Sequence, residues 1–148
     1  MGVADERRLC VLAFAVFLAT GGCGSSPAGN STASAETFAG TLRGGSNAIH
    51  LFTVTKRETV SVTVTQANVP AGIQLALGLG TPVANGACLN ITSANPPVQP
   101  GSQPQVTMSA TAGSYCIELV LFQIGQLGMA VSAPASVTAT YSVTVTHM

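Results

Sequence analysis

The feature that most constrains the fold of this chain is an alternation of apolar and polar side chains with a period of two residues. It is clearest near the C-terminus, where Val137, Ala139, Tyr141, Val143 and Val145 alternate with threonine and serine. This period places one kind of side chain on each side of an extended strand, as in antiparallel sheets with one buried side. No helical period occurs after the N-terminal region. The pattern therefore predicts an all-β domain.

Six further segments show the same alternation and are predicted to be strands. Their inward-facing rows are Phe52 and Val54; Val60, Val62 and Val64; Ile73, Leu75, Leu77 and Leu79; Leu89 and Ile91; Val106, Met108 and Ala110; and Tyr115, Ile117, Leu119 and Leu121. Turn residues separate the segments, most extensively from Asn95 to Pro104. About seven to eight short strands predict an antiparallel two-sheet β-sandwich of jelly-roll or immunoglobulin-like type over residues 37–148.

Residues 1–22 have the layout of an export signal. Two arginines precede the apolar run Leu9–Ala19, which is shorter than the ~20 residues that a membrane-spanning helix needs. The small residues Thr20–Gly22 then lead to Cys23. This stretch resembles the lipobox of bacterial lipoproteins, which implies a signal-peptide helix, cleavage before Cys23, and attachment of lipid such as palmitate to Cys23. The alternative is an ordinary secretory signal followed by an incidental cysteine.

Residues 23–36 are predicted to be a lipidated cysteine followed by a flexible linker. The segment is small, polar and proline-containing, so it cannot bury enough apolar surface to fold. A linker beside a lipid anchor would hold the domain a short distance from a bilayer. Gly24 stands where lipoproteins of the inner membrane tend to carry aspartate. The resemblance therefore implies outer-membrane sorting if the host has an outer membrane.

The four cysteines also indicate the cellular compartment of the protein. Cys10 leaves with the signal peptide and Cys23 is taken by lipid, so the domain keeps Cys88 and Cys116. An isolated pair in an exported protein predicts a disulfide bond. A metal site would need further ligands, which do not accompany the pair. The alternation around the two cysteines predicts that both lie on solvent-facing sides of their strands.

The strand motifs together resemble a known family. They are Phe38-x-Gly40-x-Leu42, His50-x-Phe52-x-Val54, Val60-x-Val62-x-Val64, Gly113-x-Tyr115-Cys116-Ile117 and the final Tyr141-Ser142-Val143-Thr144-Val145. This series resembles the bacterial pre-peptidase C-terminal domain, a β-sandwich often appended to secreted peptidases and sometimes free-standing in lipoproteins. The resemblance implies, as one option, an accessory or chaperone-like role for a secreted peptidase. Members that bind calcium do so through clustered acidic residues, whereas residues 37–148 contain no aspartate, so no calcium site or other cofactor is predicted.

Charged side chains are too scarce for several function classes. From Glu36 onward they are Glu36, Arg43, Lys56, Arg57, Glu58 and Glu118. This set provides neither a basic patch for nucleic acid nor a pair of acids for glycoside hydrolysis. The sequence also lacks the Gly-x-Ser-x-Gly motif that positions a serine nucleophile. We therefore predict a domain that is not an enzyme and does not bind nucleic acid.

The remaining polar aromatic residues have simple structural interpretations. His50 and His147 lie near strand ends on strands that can be neighbours, but two ligands alone rarely hold a metal, so partly solvated side chains are predicted. Tyr115 and Tyr141 fall on the apolar sides of their strands, which favours core packing over stacking against a carbohydrate.

Residues 122–136 form an uncharged, glycine-broken and rather apolar segment. It either packs over an open end of the sandwich, which small sandwiches often do, or exposes Ile124, Leu127, Met129 and Val131 to a protein partner or a membrane surface. The sequence favours packing. The sequence as a whole predicts a non-catalytic cell-envelope lipoprotein that is held to the membrane through lipid at Cys23. Its β-sandwich is predicted to be a binding or structural module, with an envelope protein as one candidate partner.

Overall fold

The computed structural model describes residues 33–148, which contain nine β-strands and no helix. The strands are β1 (Ser34–Arg43), β2 (Asn47–Val54), β3 (Glu58–Asn68), β4 (Gln74–Pro82), β5 (Cys88–Ser93), β6 (Val106–Ala110), β7 (Gly113–Ile124), β8 (Ala130–Ser132) and β9 (Thr138–His147). The predicted signal-peptide helix, Cys23 and most of the linker lie outside the described residues. In the part that is described, no helix has the length and apolar character needed to cross a membrane.

The strands form two antiparallel sheets. One sheet has the order β1-β9-β3-β6, and the other has the order β2-β7-β4-β5, with β8 beside the end of β7. This confirms the predicted sandwich, and β1 and β8 bring the strand number above the predicted seven or eight. Strand β1 takes in residues 34–36 of the predicted linker, because β9 continues to His147 and Ser34 pairs with it.

The core lies between the sheets and is built from the predicted inward rows. The valine row of β3 and the leucine row of β4 are buried, as are the facing rows of β7 and β9. The long connection 94–105 closes one side of this core, since the backbone N–H groups of Ala94 and Val98 donate to β4 and those of Gly101 and Gln105 donate to β3. Its irregular backbone is thereby hydrogen-bonded although it belongs to no strand.

Strand β5 was predicted, but the expected burial of its apolar row was wrong. Leu89 and Ile91 are 62% and 60% exposed. Strand β5 is at the edge of its sheet, so a neighbouring strand covers it on one side only. Its register with β4 also shifts between Leu79 and Gly80, which leaves Ile91 without a partner residue and interrupts the alternation.

Candidate functional site

The outward side of the five-stranded sheet has an unusual composition. Ile117 and Leu119 of the central strand β7 are fully buried in the core, so Glu118 between them, and every second residue from it, points away from the core. The register of β2 and β4 against β7 then defines this side, which we call the outer face. Its residues on β2, β4 and β7 are Asn47, Ile49, Leu51, Thr53, Gln74, Ala76, Gly78, Gly80, Ser114, Cys116, Glu118, Val120, Phe122 and Ile124. Leu51 is 61% exposed there.

Cys88 and Cys116 form a disulfide between β5 and β7, as the sequence predicted. Both cysteines lie on the outward sides of their strands, as predicted, and Cys116 is nevertheless fully buried there. Cys116 is flanked by Leu51 of β2 and Gly80 of β4, and its sulfur is bonded to Cys88. A position in the middle of a sheet is covered from both sides, which the alternation alone does not reveal.

A hairpin extends the outer face beyond the end of the sandwich. We call residues 124–131 the hairpin tip. Within it the Gly125 N–H donates to the Met129 carbonyl at 2.9 Å, and the Gly128 N–H donates to the Gly125 carbonyl at 2.9 Å. Gly128 has a φ of 73°, a conformation that favours glycine, and it completes the tight turn. Leu127, at the apex, is 83% exposed.

The favoured interpretation of this segment, packing over an open end, was wrong. Ile124, Met129 and Val131 are also exposed, at 51%, 60% and 43%. The physical reason is that β8 pairs only with the last residues of β7, so the hairpin tip has no core beneath it. The chain returns to the core at Ala133, which is buried.

One carboxylate lies in the middle of the outer face and is held from both sides. The side-chain amide of Asn47 donates to Glu118 Oε1 at 2.6 Å, and that of Asn90 donates to Glu118 Oε2 at 2.8 Å. Asn90 reaches across β4 at Gly78, where an added Cβ would collide with the Asn90 amide. A glycine at this position is therefore required for the contact between Asn90 and Glu118.

Glu118 is the one charged side chain of the outer face. In residues 33–148 every ion pair involves His147, which contacts Glu36 and Glu58. Glu118 therefore has no cationic partner in this part of the chain. Glu118 is the one acidic residue of β7, but nothing in the alternation distinguishes it from other outward-facing residues.

His147 is more buried than the sequence predicted, with 6% of its surface exposed. Its Nε2 lies 3.1 Å from Glu36 Oε1, and its Nδ1 lies 3.0 Å from Glu58 Oε1. Each ring nitrogen therefore has a carboxylate oxygen within hydrogen-bond distance. This cluster joins the ends of β1, β3 and β9.

His50 has a separate environment. Its Nε2 lies 2.7 Å from the Tyr141 hydroxyl, and its ring stacks on Phe38 with centroids 4.8 Å apart. Burial lowers the pKa of His50 and raises the pKa of Tyr141, so both groups favour their neutral forms. The two histidines thus have different partners, and no group of three or more metal-ligating side chains suited to an ion occurs among residues 33–148.

The two tyrosines are core residues, as predicted. Tyr115 and Tyr141 are 8% and 7% exposed, so neither offers a ring to a carbohydrate. The Tyr115 hydroxyl donates to the Thr111 carbonyl at 3.1 Å, and the Tyr141 hydroxyl contacts His50. Each buried phenol therefore has a hydrogen-bond partner inside the domain.

Comparisons with known proteins add information on the fold. No family model and no curated protein sequence matches the chain. The chain is similar to a periplasmic inhibitor of g-type lysozyme, PliG of Aeromonas hydrophila, with 13% identity and a TM-score of 0.48, over 79% of this chain and 89% of that chain. It is also similar to the pre-peptidase C-terminal domain of a collagenase from Bacillus anthracis, with 15% identity and a TM-score of 0.46, over 74% and 87%. A pre-peptidase C-terminal domain is thus among the structural neighbours. At this level of similarity neither neighbour indicates a function.

Proposed function

We propose that this protein is a lipid-anchored cell-envelope module that binds a partner protein through its outer face and hairpin tip and has no catalytic role. The observation that carries the proposal is the exposure of the apolar hairpin tip, with Leu127 83% exposed at its apex. Apolar side chains gathered at one surface mark interaction sites more often than singly scattered ones do. Leu51, which pairs with Cys116, is a second exposed apolar side chain, on the outer face itself.

A protein partner fits this surface better than the anchoring bilayer does. The chain enters the domain at Ser34, beside His147 at the end of β9, and Glu58 contacts the same histidine. Strand β7 starts near this end, where Gly113 pairs with Val54, and runs to the hairpin tip at the other end. The tip is therefore at the end of the domain opposite to Ser34, where the chain enters it. A fixed carboxylate on the outer face would also disfavour contact with anionic lipid headgroups.

The polar clusters of the domain support a role other than catalysis. His50 contacts a tyrosine and His147 contacts two glutamates. Within the described residues no hydrogen bond joins a histidine to a serine, threonine or cysteine that it would activate as a nucleophile.

Export is supported by the disulfide, because such bonds persist in oxidising compartments. The lipid anchor at Cys23 is tested by the intact mass of the protein extracted from membranes, before and after reduction and alkylation. We expect the mass of the chain from Cys23 plus acyl groups, and two alkyl labels that appear only after reduction. A product without lipid mass in the soluble fraction would contradict the anchor.

Binding is tested by photocrosslinking in intact cells. A photoreactive amino acid replaces Leu127 or Leu51 on the proposed binding surface, and Thr140 or Thr144 on the opposite side of the sandwich serves as the matched control. We expect a discrete protein adduct from the first pair and none from the second. Equal adducts at both sides, or adducts to lipid alone, would contradict the proposal. A peptidase in the adduct would identify the accessory role that the family resemblance implies.

A further inference from the structure

We infer that Glu118 is the specificity-determining residue of the outer face and that it receives a basic side chain of the partner protein, arginine in preference to lysine. The inference rests on the proposed function, because it concerns the surface through which the partner is bound. It adds the chemistry of the partner: a segment that presents one guanidinium group within apolar surroundings.

A partner that covers the outer face changes the surroundings of Glu118. A protein that covers Leu51 and the hairpin tip also takes water away from the carboxylate that lies between them. An ionised carboxylate that loses water without gaining a cation is strongly destabilising, whereas one that gains a cation and hydrogen bonds is tolerated. No cationic side chain of residues 33–148 pairs with Glu118. The partner must therefore supply the cation.

The carboxylate of Glu118 is held in a fixed orientation. Asn47 and Asn90 each donate one hydrogen bond, to different oxygens of Glu118, at 2.6 and 2.8 Å. The plane of the carboxylate is therefore fixed before any partner arrives, and each oxygen retains capacity for a further donor. A guanidinium group donates two parallel N–H bonds to such a pair of oxygens, which an ammonium group cannot do. This matching geometry favours arginine.

Glu36 and Glu58 differ from Glu118 in the partners that they have inside the domain. Glu36 and Glu58 both contact His147, so each already has a cationic or hydrogen-bonding partner inside the domain. Both lie at the end of the sandwich where the chain enters the domain. Glu36 is 45% exposed, so replacing it removes the same charge without altering the outer face.

The inference is tested with the full-length protein extracted in detergent and a synthetic strand peptide that carries one arginine between leucines. Its twin carries citrulline, which has the same shape and no charge, and a third peptide carries lysine. We expect the arginine peptide to bind about tenfold more tightly than the citrulline peptide, with lysine between them. In Glu118→Gln the three affinities should become equal. In Glu36→Gln, the matched control, the arginine preference should persist.

The inference would be overturned if the unaltered protein bound the arginine peptide no more tightly than the citrulline peptide, or bound neither. It would also be overturned if Glu118→Gln still preferred the arginine peptide. Photocrosslinking at Leu127 in the Glu118→Gln background separates this failure from failure of the proposed function. An adduct formed at the full yield in that background would leave the binding surface established and the role of Glu118 disproved. Loss of the adduct, with retention in Glu36→Gln, would support both.

Discussion

The two outward sides of the sandwich arise from the same period-two pattern and carry different chemistry. On the four-stranded sheet, the side away from the core is covered with hydroxyl groups, which belong to Thr37, Thr41, Thr59, Ser61, Thr63, Thr107, Ser109, Thr138, Thr140, Ser142, Thr144 and Thr146. We call this side the hydroxyl face. The outer face of the five-stranded sheet instead combines aliphatic side chains with a few polar ones, such as Asn47 and Gln74, and it holds a disulfide and a single carboxylate.

The difference indicates which side is suited to contact with water and which to contact with a partner protein. On the hydroxyl face, neighbouring strands bond to one another, as in the 3.1 Å contact between Thr37 and Thr144 and the 3.3 Å contact between Ser61 and Thr107. Threonine is also favoured in strands, so such a face needs no ligand to explain it. On the outer face, exposed leucine and a carboxylate without a cation are not explained by folding alone.

The largest effect that we expect on either face comes from the disulfide. Replacing Cys88 and Cys116 together by alanine should lower the free energy of unfolding by about 3–4 kcal/mol, because the bond closes a loop with a sequence separation of 28 residues. Urea unfolding under oxidising conditions measures this change, and reduction of the unaltered protein should reproduce it. An unchanged unfolding midpoint would show that the disulfide does not stabilise the fold.

A smaller effect is expected where β5 reaches β7. Gly78→Ala should displace the Asn90 amide from Glu118 and lower the free energy of unfolding by about 1–2 kcal/mol, because a charged hydrogen bond is lost and the added methyl is crowded. Gly101→Ala is the matched control, since the nearest atom to its added Cβ is 4.0 Å away, and it should change stability by less than about 0.5 kcal/mol. Equal effects of the two substitutions would show that Asn90 is not positioned by Gly78.

On the hydroxyl face we expect single substitutions to have little effect. Thr144→Val keeps the shape of the side chain and removes its contact with Thr37, so the free energy of unfolding should change by less than about 0.5 kcal/mol. Thermal unfolding measures the change. A loss as large as that of Gly78→Ala would mean that the hydroxyl groups form a cooperative network, and the comparison between the two faces would then need revision.

The smallest expected effect is a pH-dependent change in stability that arises from His50, in the interior between the two faces. Burial lowers the pKa of His50 below its ordinary value of 6.5, so the unfolded chain takes up a proton first as the pH falls. The contribution of His50 to stability is therefore complete above pH 6.5 and is lost as the pH falls through its lowered pKa. Urea unfolding across this range should show a steeper loss for the unaltered protein than for His50→Gln. Parallel curves would contradict the assignment.

The sequence predicted what depends on local pattern. The buried rows of β3, β4, β7 and β9 follow from alternation, and the disulfide follows from the number of cysteines and the compartment. It did not reveal the Glu118 arrangement, because Asn47 and Asn90 lie 71 and 28 positions from it and only the strand register brings them together. Leu89 was misplaced for a related reason, since its exposure depends on β5 being an edge strand. The burial of His147 likewise depends on contacts with β1 and β3.

The central claim is that the outer face and hairpin tip, and not the hydroxyl face, bind a partner protein. Native mass spectrometry of the full-length protein, extracted in mild detergent from its own envelope, tests it most directly. The unaltered protein and a Thr140→Val, Thr144→Val variant should both carry a second protein, while a Leu51→Ser, Leu127→Ser variant of equal thermal stability should carry none. Retention of the second protein by the leucine variant, or its loss from the threonine variant, would contradict the account.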